Sequence, residues 1–258
     1  MKQALVICIL ALLSVNLCGQ GVNQRDAAGR KQGYWEAVDS RGMPVYKGQF
    51  KDDKPVGEMT RYFPTGELRA KIFYENDGVT SRVTFYAQSG KIAAQGKYNG
   101  TKRDSTWTFY SMNSDNATSR VEYLDGKRHG TEQKYYPNGK IAEELVWKHD
   151  IRNGVWKQFF DNGQLKISAT YLVGDLDGIY MTYYSNSMPE VKGVFRNGIP
   201  VGEWQRFDEN GKPVVIKYEN GQIANMAELE DSDLAFFNTM FDETKQLPEP
   251  TIEEFMRQ

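Results

Sequence analysis

The sequence is poorest in the residues that catalysis and metal binding most often need. Its 258 residues hold two cysteines and two histidines. Both cysteines, Cys8 and Cys18, lie near the start, so a chain cleaved just after them has no disulfide and no thiolate metal site. Beyond Leu17 there is no long aliphatic run, which leaves nothing to build one thick core. Charge of one sign is also lacking, since 32 Lys and Arg stand against 34 Asp and Glu. That balance argues against nucleic acid as the main partner. It conceals a split, however. Met226 to Gln258 carries nine acidic residues and two basic ones, and the rest of the chain has a modest positive excess.

Motifs of chemistry are missing as well. There is no Gly-x-Ser-x-Gly, His-Glu-x-x-His, glycine-rich phosphate loop or calcium loop. His129 and His149 sit in Lys127-Arg128-His129-Gly130 and Lys148-His149-Asp150, with no clustered third ligand, and read best as solvated turn residues. Ser105 beside Asp104 has no histidine in the same stretch. No catalytic, cofactor-binding or metal-binding residue is expected, and the chain is read as a binder rather than an enzyme.

What is present begins with a leader. Lys2 supplies a positive charge, Ala4 to Leu13 is apolar, and small or polar residues follow around Cys18-Gly19-Gln20. Residues 1–19 are therefore expected to be a signal peptide cleaved near Gly19–Gln20, placing the protein in the periplasm or on the outer surface of a bacterium. Cys18 has a second reading as the lipid-bearing residue of a lipoprotein, favoured by Val15 and Gly19 and disfavoured by Leu17. Association with a membrane is expected only in that case.

The dominant feature is a period of 24 residues. Gly33-Tyr34-Trp35, Gly57-Glu58-Met59, Ser81-Arg82-Val83, Ser105-Thr106-Trp107, Gly130-Thr131-Glu132, Gly154-Val155-Trp156, Gly178-Ile179-Tyr180 and Gly202-Glu203-Trp204 align, with one step of 25. A first aromatic slot holds Tyr62, Tyr86, Tyr110, Tyr135, Phe159, Tyr183 and Phe207, with Val38 at its start. A second holds Phe50, Tyr74, Tyr98, Tyr123, Trp147, Tyr171, Phe195 and Tyr218. Between them lie turns such as Pro137-Asn138-Gly139 and Asp161-Asn162-Gly163, where glycine takes a positive φ. A second set of turns, such as Asp125-Gly126 and Asn197-Gly198, joins one hairpin to the next.

The expected architecture is mostly β: an elongated single-sheet array of about eight tandem 24-residue hairpins over 30–222. Residues 20–29 read as a linker and 223–258 as an acidic helix and tail. About sixteen strands at roughly 4.8 Å give a sheet on the order of 75 Å long. The pattern weakens in mid-array. Ser81 and Ser105 replace the slot glycine, and Ser111 to Ser119 forms a longer turn without glycine, through either drift in a tolerant array or a bend or partner loop.

The columns Gly-x-Trp-x-x-Tyr/Phe-Tyr/Phe-x-x-Gly-x-Leu/Ile, clearest from Gly130 to Trp147, Gly154 to Tyr171 and Gly202 to Tyr218, resemble the bacterial MORN-repeat variant. The resemblance covers about residues 30–222. It implies the hairpin array, and spacers, scaffolds or protein-binding modules as the range of uses. It also implies the antitoxin label that such bacterial proteins often carry, which fits poorly with an export signal.

Two candidate binding features follow. Adjacent tyrosines cannot both face inward in a strand, so Tyr62, Tyr135, Tyr136, Tyr183 and Tyr184 are a candidate surface for an extended peptide or for sugar rings. Ala227 to Lys245 reads as a helix, with Ser232 or Asp233 as its cap. Its face of Leu234, Phe237, Met240 and Phe241 is either an end cap or a docking segment. A protein partner is expected first and a cell-wall polysaccharide second.

Overall fold

The computed structural model describes residues 21–208 and 210–240. The expected leader with Cys8 and Cys18, and Phe241 of the expected docking face, lie outside these residues. Each repeat is a hairpin of two strands. Units 1 to 4 are Lys31–Val38 with Pro44–Lys51, Lys54–Tyr62 with Leu68–Glu75, Thr80–Tyr86 with Ile92–Asn99, and Lys102–Tyr110 with Ala117–Leu124. Units 5 to 8 are Lys127–Tyr135 with Ile141–Lys148, Ile151–Phe159 with Leu165–Leu172, Gly178–Tyr183 with Pro189–Arg196, and Ile199–Phe207 with Pro213–Glu219. Three two-residue strands bring the single sheet to 19 strands. Each long strand pairs antiparallel with its neighbours in sequence, so the sheet is a continuous meander.

Two kinds of turn set the period. Within a unit, the loop closes on a glycine of positive φ, as at Gly139 (φ 83). Its N–H donates to the Tyr136 carbonyl at 2.9 Å. Between units, two successive residues take positive φ, as at His149 (53) and Asp150 (68), or Asn197 (49) and Gly198 (76). These primed turns match the twist of the flanking strands. The second turn residue also reaches back to the previous unit. The N–H groups of Gly126, Asp150, Gly174 and Gly198 donate to the carbonyls of Arg103, Arg128, Arg152 and Leu176 at 2.8–3.0 Å. Each hairpin is thus clamped to the one before it.

The slot glycine is a bulge. Gly130 has φ 107 and Gly154 φ 135, and the pairing with the preceding strand shifts register around each. The bulge turns the third slot onto the core face, where Trp107, Trp156, Tyr180 and Trp204 are buried. The second aromatic slot shares that face, with Tyr123, Trp147, Tyr171, Phe195 and Tyr218 buried around it.

A further column lies two residues before that slot: Gly48, Ile72, Gly96, Val121, Leu145, Ala169, Gly193 and Ile216. Its small members make room for the large rings. A Cβ on Gly96 would come within 2.2 Å of the Trp107 ring, and one on Gly193 within 1.9 Å of Trp204. A fourth column supplies cations over the aromatics. Arg103 lies 5.2 Å from the Trp107 and Tyr123 ring centres, Arg128 3.6 Å from Trp147 and Arg152 5.2 Å from Tyr171.

The buried side chains form two clusters. One runs from Ala70 to Tyr123, and the other from Leu145 to Tyr218 with Phe237 added. At their junction, unit 5 carries Glu132 in the tryptophan slot. That carboxylate is buried and accepts from Trp147 Nε1 at 2.6 Å.

The C-terminal helix runs Asp231–Met240, starting later than the expected Ala227. Phe237 is 1 % exposed and joins the second cluster. Asp233 is not the helix cap: it is buried in the first turn, 2.6 Å from Arg206 Nη1. Phe236 and Met240 pack beside Phe237 against that cluster. The edge strand itself is closed by Asn225, whose amide accepts from Lys217 N–H at 2.9 Å and donates to the Val215 carbonyl at 3.1 Å. Asn23 does the same at the other edge, accepting from Glu36 N–H at 2.8 Å and donating to its carbonyl at 3.0 Å. Two asparagine side chains stand in for the next strand.

Candidate binding groove

The first aromatic slot faces away from the core, because it is an odd number of residues from the tryptophan slot. Tyr62, Tyr135 and Tyr183 therefore share the outer face, all half-buried, and their hydroxyls engage neighbours there. Tyr135 donates to Gln133 Oε1 at 2.7 Å, Thr60 Oγ1 donates to the Tyr62 hydroxyl at 3.2 Å, and Tyr183 lies 3.5 Å from Met181 Sδ. Tyr136 and Tyr184 belong elsewhere. They are half-buried, and each hydroxyl donates 2.7 Å to a backbone carbonyl of the next unit, Phe159 and Phe207 respectively. Their role is to hold hairpin to hairpin.

The outer face is not uniform. Over units 2 to 4 it forms a groove of about 530 Å³ whose side chains include Lys71, Phe73, Arg82, Thr84, Gln95 and Lys97. Strand register aligns them, with Lys71 opposite Thr84 and Gln95 opposite Thr84 on the next strand, and with Phe73 opposite Arg82 and Lys97 beyond it. Gln95 Nε2 donates to Thr84 Oγ1 at 3.2 Å, and Tyr110 donates to Gln95 Oε1 at 2.8 Å. That ladder gives the floor a fixed polar rail. Phe73 is 47 % exposed, with the Arg82 guanidinium 5.6 Å from its ring. Arg82 is also paired with Glu75, whereas neither Lys71 nor Lys97 forms an ion pair among the described residues. The groove is basic, with one exposed aromatic and one acid, Glu58, on its wall.

Units 3 and 4, which carry most of this groove, depart from the repeat, whereas unit 2 keeps it. Ser81 has no positive φ, and its strand pairs with unit 2 without a register shift, so the bulge is gone there. Ser105 keeps the bulge conformation at φ 58, although it is not glycine. The long turn of unit 4 is tied to the next unit, with Asn116 Nδ2 donating to the Pro137 carbonyl at 2.9 Å. Strand pairing thus continues through the irregular stretch. Sequence reading noticed the irregularity but not the groove, because Lys71, Arg82 and Lys97 belong to no conserved-looking column.

A second concavity, about 470 Å³, lies on the core face between Phe160, Tyr180, Tyr184 and the helix residues Phe236 and Met240. The two histidines are brought together, ring centres 4.6 Å apart, with His129 on its strand and His149 in the adjoining turn. No group of three metal-ligating side chains occurs among the described residues. Nor is any helix there long and apolar enough to cross a membrane.

An open sheet of tandem hairpins, each fixed mainly to its neighbours, defines a repeat protein of the kind that binds along its surface. Units 2, 5, 6 and 8 match the MORN repeat variant at residues 55–76, 128–149, 152–172 and 200–217, and these four units are MORN-variant repeats. No curated protein matches it. Among solved structures it is similar to a mutant of S. aureus TarM in complex with fondaparinux, alpha-GlcNAc-glycerol and UDP. That likeness has 9% identity and a TM-score of 0.23, over 57% of this chain and 21% of that one. A second TarM structure gives 14% identity and a TM-score of 0.16, over 64% and 21%. The chain spans about a fifth of their length.

Proposed function

We propose that the protein is an exported, non-enzymatic binding module of the bacterial envelope that holds a protein partner along its tyrosine-bearing outer face. The observation that carries this reading is the groove of units 2 to 4. Over units 3 and 4 the repeat pattern relaxes while pairing persists, and with unit 2 they present basic and aromatic side chains together. Co-purification from the native envelope tests it. A partner held by the full chain should be lost when Lys71→Glu and Lys97→Glu are combined. Capture of the same partner in equal yield would end the proposal.

A second reading, a cell-wall polysaccharide binder, draws on the half-buried ladder of Tyr62, Tyr135 and Tyr183, whose rings remain accessible for stacking. Soluble wall sugars should then quench tyrosine and tryptophan fluorescence, and an unchanged spectrum removes this reading.

A further inference from the structure

We propose that His129 and His149 form a binding site for a divalent transition-metal ion, which clips the first strand of unit 5 to the turn leading into unit 6. This site lies apart from the groove and does not depend on it. In units 1, 6 and 7 the slot of His129 holds Gln32, Asn153 and Asp177. Each of these accepts, through a side-chain oxygen, a backbone N–H from the turn that ends its own unit. The donors are Asp52, Val173 and Asn197, at 3.0–3.3 Å. Unit 5 puts an imidazole there instead. His129 Nδ1 is buried and has no hydrogen-bond partner. Its ring lies against that of His149, the equivalent turn residue, with centres 4.6 Å apart and planes at 65°. Unit 5 thus gives up the oxygen that caps the turn in those units and gathers two imidazoles in its place.

Imidazole nitrogen suits zinc, copper and nickel, whereas calcium and magnesium require oxygen ligands. His149 is exposed, and its ring can turn about Cβ–Cγ, a broad torsion in histidine. That rotation lets one nitrogen from each ring meet an ion at the roughly 2.0–2.1 Å of a zinc–imidazole bond. No third His, Cys, Asp or Glu completes the set among the described residues, so water fills the remaining positions. Nor do the neighbouring charges supply a ligand. Asp150 is held by Arg128 at 3.2 Å, and Lys148 stands opposite His129 across the strand pair. The two imidazoles therefore set both the choice of ion and its affinity. An ion held only by the folded chain also stabilises it by mass action.

Titration with Cu(II) alone tests the site, in a full-length chain carrying Cys8→Ser and Cys18→Ser so that no thiolate competes. Asn stands at both positions elsewhere in the repeat, as Asn153 and Asn197, so His129→Asn and His149→Asn should keep the fold. Electron paramagnetic resonance of the parent chain should show one Cu(II) bound through two imidazole nitrogens. Each Asn variant should weaken binding about tenfold or more, with an unchanged circular dichroism spectrum. The melting temperature should rise when the ion is added to the parent chain and stay constant in both variants. Binding that either variant leaves intact would overturn the proposal. So would a spectrum with a single imidazole nitrogen, or no uptake with metal and chain at equal concentration. The nitrogen count is read on the parent chain, so a variant that misfolds does not shield the proposal.

Discussion

Units 5 to 8 and units 1 to 4 are built from the same hairpin, yet they close their cores differently. In the C-terminal half one cluster runs unbroken from Leu145 to Tyr218 and is finished by Phe237 of the helix. Trp204, Val191 and Ile216 are fully buried there. In the N-terminal half the buried cluster spans only Ala70 to Tyr123. Its first unit leaves Trp35 half-buried, with Lys31 Nζ 4.8 Å from its ring centre and 4.7 Å from that of Phe50. Three of the four family matches lie in the C-terminal half. The groove lies in the other half. A unit that loses a column still pairs with its neighbours, as units 3 and 4 do. Glu132, buried in the tryptophan slot, separates the two halves with a polar group where a ring would continue the stack.

The strongest test of this contrast removes the same residue type from each half. Trp204→Ala empties a fully buried site and should cost about 3–5 kcal/mol, whereas Trp35→Ala, at a half-buried site, should cost on the order of 1–2 kcal/mol. Urea unfolding midpoints of the two variants measure both. Equal losses would mean that the halves are packed alike.

Alkali should reverse the order of stability. Burial pushes the Tyr218 hydroxyl up to about 12 from its ordinary 10, and Tyr171 is raised for the same reason. Below pH 10 both folded and unfolded chains keep the proton, and the full stability is present. Between pH 10 and 12 the unfolded chain releases it first, so roughly 2–3 kcal/mol is lost from the C-terminal half. Hydrogen exchange followed over that range should show units 6 to 8 opening early. Tyr218→Phe should delay the opening, and an identical pH profile in that variant would rule this account out.

The two ends offer the next comparison. Asn23 and Asn225 satisfy the backbone of their edge strands in the same way, although among the described residues only the second is backed by a helix. Replacing either with Ala should cost about 1–2 kcal/mol and expose a strand edge. Asn23→Ala should associate more readily in size-exclusion chromatography, since no helix among the described residues packs near that end. If only Asn225→Ala associates, the helix offers no protection.

These contrasts were legible in the sequence to different depths. The hairpins, both aromatic slots and the mid-array irregularity follow from the period, because Trp107, Trp156 and Trp204 recur at fixed spacing. The glycine column of Gly48, Gly96 and Gly193 keeps that same period, but it alternates with Ile72, Val121 and Leu145. Its rule is complementary volume rather than residue type, which a column of identities does not reveal. The cation column of Lys31, Arg103, Arg128 and Arg152 is interrupted by Pro55, Val79, Leu176 and Pro200 for a similar reason. Asn23 and Asn225 lie outside the period altogether. Tyr135 and Tyr136 could not be told apart, since only the register shift at the hairpin end sends one hydroxyl to Gln133 and the other to the Phe159 carbonyl.

The smallest effect separates the two irregular units from each other. Ser105 holds φ 58, a conformation that disfavours any side chain, to keep the bulge that glycine makes in its neighbours. Ser105→Gly should therefore stabilise the array by about 0.5–1 kcal/mol, even though it removes the hydrogen bond from Ser105 Oγ to Asp104 Oδ1 at 2.8 Å. Ser81 occupies the same slot with no bulge and an unbroken ladder to unit 2. There glycine only adds freedom to the unfolded chain, and Ser81→Gly should destabilise by roughly 0.5–1 kcal/mol. The two variants lie at the same slot one repeat apart, and thermal melts should shift in opposite directions. Shifts of the same sign would mean that the slot serine follows one rule in both units, and that the lost bulge of unit 3 is not what shapes the groove.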